Sequence, residues 1–175
     1  MKPKTISTEK IFEGKIISVQ IDDILLENGK PAKREVVRHK AAACIFAYDK
    51  EGYGYLVEQY RHAVGEYLVE AVAGLCDEGE EPKETAKREL NEEINALCDN
   101  LDYLGEFYPT PGFCDETIHL YSAEITGFKQ GTPDEDEFIQ IKKLPLEAIY
   151  SMIDNNEIKD GKTIAAVLKF RIKNQ

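Results

Sequence analysis

The hexapeptide Arg88-Glu89-Leu90-Asn91-Glu92-Glu93 lies near the end of a segment, residues 73–95, that constrains this chain more than any other. Pro82 suits the first position of a helix, where its missing N–H costs nothing. Glu81 is then the N-cap, a residue not favoured there, while Glu80, Glu81 and Glu84 complement the helix dipole. At about 100° per residue, Ala86, Leu90, Ile94 and Leu97 form one apolar stripe. Glu89, Glu92 and Glu93 fall in an adjacent arc, with Glu93 bordering the stripe. Carboxylates three and four residues apart repel by about 0.2–0.5 kcal/mol per pair on an exposed helix, and desolvation beside the stripe adds to the cost. A divalent cation would remove both penalties. A glutamate triplet alone is more simply read as a solvated acidic face with ordinary salt bridges, so the surrounding residues have to decide.

Upstream of the helix the chain reads as strands. "KIISVQIDDILLENGKPAKREVVRHK" alternates in part and contains Asn28-Gly29, a dipeptide that favours a type I′ hairpin turn. "AAACIFAY" and "YGYLVEQY" are short apolar segments separated by a turn at 49–52. Downstream, "LDYLGEFYPTPGFCDETIHLYSAEI" reads as two strands around a loop at 109–116. "GTPDEDEF" is an acidic turn, and "LPLEAIYSMIDNN" and "KTIAAVLKFRIK" are helical by apolar spacing. Regular βαβ repeats are absent, so a doubly wound sheet is disfavoured. The expected class is α/β or α+β: a mixed sheet sandwiched between helices, preceded by an N-terminal antiparallel sheet. That divides the chain into a subdomain at 1–40 and a main domain at 41–175.

Charge and cysteine content narrow the function. The formal net charge of −11 argues against nonspecific nucleic-acid binding, because a phosphate backbone would be repelled. The four cysteines, Cys44, Cys76, Cys98 and Cys114, contain no CxxC pair, which disfavours zinc. The first residues lack the apolar stretch of a signal peptide, and no apolar run approaches a membrane span. Reduced thiols in a cytoplasmic protein are expected. His39, His62 and His119 lack metal-ligand spacing and read as structural or surface residues.

Gly74, five residues, Glu80, seven residues and then Arg88-Glu89-Leu90-x-Glu92-Glu93 resembles nearly all of the Nudix box. Two positions depart: Asn95 stands where the family has Gly, and Ala96 where it closes on an aliphatic residue. Asn is, after Gly, the residue most willing to adopt a left-handed C′ conformation, so the substitution touches local geometry and no metal ligand. The resemblance implies a loop–helix–loop that holds Mg²⁺ or Mn²⁺ against a diphosphate. It makes Glu89 and Glu93 the principal ligands, Glu92 an additional one and the Ala73 carbonyl a backbone ligand. Gly74, Glu80 and Arg88 are structural, with Arg88 and Glu80 pairing to brace the loop against the helix.

Outside the box, "VEQYRHAVGEYLVEAVAGL", "YPTPGFCDETIHLY" and "REVVRHKAAA" are similar to segments of ADP-ribose pyrophosphatases. By that resemblance Glu116 occupies the position of the loop glutamate that acts as general base, with Glu135 and Glu137 as rivals. Arg61 and Arg34 match substrate-contacting arginines, and Gly112 lets the loop backbone approach the ligand. The N-terminal sheet of such proteins commonly builds a homodimer, sometimes by exchange. The implied reaction is hydrolysis of ADP-ribose to AMP and ribose 5-phosphate, or cleavage of a related nucleoside diphosphate sugar. A GDP-mannose or UDP-sugar pyrophosphatase of the same fold is the nearest alternative. A non-catalytic nucleotide-sensing module is the alternative from another class, disfavoured by the complete set of box carboxylates.

Overall fold

The computed structural model describes residues 2–129 and 139–174 of the 175-residue chain. The chain divides into two compact units: Met1–Ala41 with Tyr108–Thr117, and Ala42–Phe107 with Ile118–Gln175. The acidic segment "GTPDEDEF", with Glu135 and Glu137, lies outside the described residues.

The first unit is an antiparallel sheet of β1 (Lys4–Glu13), β2 (Ile17–Leu25) and β3 (Pro31–His39), in that order. β2 and β3 pair without interruption from Ile17↔His39 to Leu25↔Pro31. Their hairpin turn is not type I′. That type needs positive φ at both central residues, yet Gly29 (φ 78°) has it and Asn28 does not. The loop is instead three residues long, closed by Leu26 N–H donating to Lys30 O, with Gly29 N–H donating to Leu26 O. Asn28 stays at negative φ, and its Oδ1 accepts the Lys30 N–H at 3.1 Å, a side-chain substitute for a backbone turn bond. Tyr108–Thr117 joins the sheet through a parallel bridge between Val37 and Cys114.

The second unit is a mixed seven-stranded sheet. It contains β4 (Ala42–Tyr48), β5 (Tyr53–Arg61), β6 (Glu66–Glu70), β7 (Val72–Leu75), β8 (Ala96–Phe107), β9 (Ile118–Phe128) and β10 (Gln140–Pro145). The main path runs β10-β5-β4-β9-β8, with β6 beside β5 and β7 beside β4. Among the described residues of this sheet only β4 and β9 pair in parallel; the other ladders are antiparallel. Because side chains alternate across a strand, β4 sends Ala43, Ile45 and Ala47 to one face and Ala42, Cys44 and Phe46 to the other. The first set packs on α1 (Pro82–Ile94) through Ala86, Leu90 and Ile94. The second packs on α2 (Leu146–Asp154) and α3 (Gly161–Lys173) through Ile149, Ala166, Val167 and Phe170. Burial on both faces explains why "AAACIFAY" is an unbroken apolar run. Each fully buried Leu or Ile contributes roughly 1.5–3 kcal/mol.

α1 starts at Pro82, with Glu81 as N-cap and no side-chain capping bond. It ends at Ile94, and Asn95 follows in the left-handed region at φ 53°. That early stop removes Leu97 from the apolar stripe: it lies on β8 and is 39% exposed. The segment "DGKT" opens α3, where Asp160 is the N-cap and its side chain accepts the Thr163 N–H.

Candidate active site

In the second unit the loop before α1 is organised by Glu80. Its Oε2 accepts from Asp77 N–H at 3.1 Å and from Thr85 Oγ1 at 2.8 Å. Arg88 donates to the same carboxylate through Nε and Nη2, at 3.1 Å each. Arg88, together with these backbone and hydroxyl donors, holds the Glu80 carboxyl down at about 2. Arg88 Nη2 also reaches Leu75 O at 3.2 Å, tying the helix to the end of β7. Its Nη1 donates to Glu89 Oε1 at 2.7 Å and to Glu92 Oε2 at 2.9 Å. The like-charge crowding on α1 is therefore offset in part by a cation from the helix itself.

The three glutamates differ sharply in environment. Glu92 has a side chain 48% exposed and Glu89 one 12% exposed, while Glu93, one turn after Glu89, is buried at 8%. The Glu89 carboxylate rests on the backbone of Gly74, where a Cβ would overlap it. Gly74 lies beside Ala73 on β7, paired across to Ala43 and Cys44 of β4. This explains the glycine by close approach alone; no positive φ is involved.

Do these groups suit a divalent cation? Among the described residues, no three acidic, His or Cys side chains converge into a ready-made cage. Mg²⁺ does not need one, since it is usually held by one or two carboxylates plus substrate phosphates and water. Two poorly solvated carboxylates on successive turns, Glu89 and Glu93, are hard oxygen donors of the required kind. The Gly74 cradle that brings Glu89 onto the β7 backbone makes the set fit.

Arg61, at the end of β5, is held by a carboxylate that the sequence did not single out. It grips Glu70 with two 2.7 Å bonds, Nε to Oε1 and Nη2 to Oε2. Glu70 was missed in the sequence, because nothing in "EYLVEAV" distinguishes it from a strand-end surface glutamate.

In the first unit, Arg34 and Gly112 line one cleft of about 340 Å³ with Ile21, Lys33, Glu35 and Phe113. Phe113 is 56% exposed; the sequence did not single it out. Arg34 Nη1 donates to Lys33 O. A Cβ at Gly112 would meet nothing within 4 Å. Glu116 is mostly buried, its Oε1 3.6 Å from His39 Nδ1, which itself lies 2.7 Å from Lys40 O. The neighbouring Asp115 clamps this loop. Its Oδ1 accepts the His39 N–H at 2.9 Å, its Oδ2 accepts from Arg38 Nη1 at 3.0 Å, and its own N–H donates to Val37 O. Burial pushes the Asp115 carboxyl up, but the His39 amide and Arg38 outweigh it and hold the group below its ordinary value. An Asp beside the loop glutamate was the available signal, and only the strand pairing gives it meaning.

Residues 19–167 match the NUDIX domain family. A methanol dehydrogenase activator from Bacillus methanolicus is 42% identical over 166 residues, covering 94% of this chain and 90% of its own. An ADP-ribose pyrophosphatase from Bacillus subtilis (strain 168) is 37% identical over 175 residues, covering 99% and 95%. The crystal structure of an ADP compounds hydrolase has the same fold, with a TM-score of 0.86 at 21% identity over 98% of this chain and 93% of that one.

Proposed function

This chain belongs to the NUDIX domain family and is a Nudix hydrolase; from that premise we propose that it cleaves the diphosphate of ADP-ribose, releasing AMP and ribose 5-phosphate. The observation that carries the reading is the Gly74–Glu89 contact, which places a poorly solvated carboxylate on the β7 backbone, one helical turn before buried Glu93. Nudix hydrolases generally need divalent ions. Here Glu89, Glu93 and the Ala73 carbonyl would hold Mg²⁺ or Mn²⁺, with Glu92 as a further, more exposed ligand. When bound, such an ion polarises a phosphoryl oxygen and offsets the charge that develops there.

The chain's own residues supply the rest. Arg88 and Glu80 brace the loop at the start of α1, so that the carboxylates do not have to be ordered by the substrate. Arg61 offers a guanidinium fork, a shape suited to phosphate. Arg34, Gly112 and Phe113 form the cleft for the nucleoside. Glu116 takes the proton of the attacking water. The N-terminal sheet at 1–40 pairs with a second copy. In support, every residue of β1 is exposed, including Ile6 at 63% and Ile11 and Phe12 at 52% each. Molar mass by light scattering would read twice the chain mass. The cytoplasm is the inferred location, consistent with four free thiols.

The substrate is tested by kcat/KM across ADP-ribose, GDP-mannose and UDP-glucose. ADP-ribose is expected to lead by at least tenfold; a lead for GDP-mannose or the UDP-sugar would replace it. The relationship to the methanol dehydrogenase activator favours a second reading, in which the chain stimulates an alcohol dehydrogenase. Dehydrogenase rate with and without the chain decides that point.

A further inference from the structure

Four charged side chains where β5, β6 and α3 come together form a chain of alternating sign. Glu70, at the end of β6, is 1% exposed, and both its oxygens are taken by the Nε and Nη2 edge of Arg61. Lys162 Nζ donates to the same carboxylate and lies 3.0 Å from Asp160 Oδ1. Thr163 Oγ1 donates to Asp160 Oδ2 and accepts the Ala71 N–H at 2.7 Å. The β6–β7 link is thereby fixed to the first turn of α3.

Stability alone does not explain this arrangement. Replacing buried ions by apolar residues of similar volume is often neutral or stabilising. The network does have a consequence for Arg61. Its side chain is 40% exposed, and among the described residues its Nη1 makes no hydrogen bond. Glu70 is shared between Arg61 and Lys162, and Asp160 lies 3.0 Å from Lys162 Nζ; the four charges sum to zero, so what the network gives Arg61 is a fixed position rather than extra charge. Burial pushes the Glu70 carboxyl up, and Arg61 and Lys162 outweigh it, so the group stays an anion at neutral pH.

We propose that Glu70 is a positioning residue for Arg61: it grips one edge of the guanidinium so that the Nη1 edge meets a substrate phosphate oxygen as a pre-set donor. This rests on the reading of Arg61 as a substrate contact. A free arginine side chain has many rotamers to lose when it is fixed against a ligand. The grip takes up that loss on folding, so it no longer opposes binding.

The test is a double-mutant cycle on ADP-ribose hydrolysis with Arg61→Lys, Glu70→Gln and the double variant, each melted first to establish folding. Glu70→Asp is run alongside: it keeps the charge that Lys162 needs and withdraws the carboxylate by one methylene. Each single change is expected to raise KM about tenfold while kcat falls less than about threefold. The double variant should be no worse than the worse single, as expected for residues acting through one contact. Glu70→Asp alone should reproduce the KM rise if Glu70→Gln does not fold. Multiplied losses, or an unchanged KM in the Glu70 variants while Arg61→Lys raises it, would overturn the role of Glu70 and leave the hydrolase reading intact. An unchanged KM in Arg61→Lys has the same effect. No turnover by the unaltered chain would overturn both.

Discussion

Arg88 holds Glu80 by two hydrogen bonds of 3.1 Å across the loop that opens α1. The Glu80 carboxyl is thereby depressed from 4.5 to about 2. A depressed carboxyl contributes stability that is fully present above its unfolded value and lost as pH falls through the folded one. Urea melts between pH 5 and pH 2 should therefore show a steep loss of stability that is shallower in Glu80→Gln. Parallel curves for the two proteins would contradict the assignment.

Gly74→Ala places a methyl group on the Glu89 carboxylate. The strain should cost about 1–3 kcal/mol in denaturant melts. Displacement of Glu89 should lower turnover by about a hundredfold, the scale of a 1 Å misplacement. Retained turnover would show that the contact is incidental.

The acidic helix was legible from the sequence because its determinants are local. Pro82 sets its start, and Asn95 accepts the left-handed geometry that ends it. "AAACIFAY" was legible as a strand for a similar reason, as a short apolar run bounded by a turn, while its burial on both faces shows only in the folded sheet. What was missed depends on long-range pairing. Arg61 finds Glu70 across the β5–β6 hairpin and, through it, Lys162 at the start of α3. Asp115 meets Arg38 and His39 more than seventy residues away. Asn28-Gly29 misled in detail, because the Asn28 side chain satisfied the turn without positive φ.

The Asp115 clamp predicts that Asp115→Ala leaves the His39 amide and the Arg38 guanidinium without an acceptor. A loss of about 1–3 kcal/mol should follow in thermal or urea melts. If the loop positions Glu116 for proton transfer, kcat should fall more than KM changes. A fall in stability with kcat untouched would separate the clamp from the chemistry.

Gly112 needs neither positive φ nor empty space within the protein. Gly112→Ala should therefore leave stability within about 0.5 kcal/mol of the parent. If a nucleoside fills the cleft against this backbone, the added methyl should raise KM by about tenfold or more. Unchanged KM would move the nucleoside away from Arg34, Gly112 and Phe113.

The most direct measurement of the central claim is product analysis of ADP-ribose incubated with the chain and Mg²⁺ or Mn²⁺, beside Glu93→Gln and a chelator control. The account predicts equal amounts of AMP and ribose 5-phosphate from the unaltered chain. It predicts almost none with chelator, and almost none from Glu93→Gln that melts like the parent. No AMP with either metal, or full activity in Glu93→Gln, would contradict it.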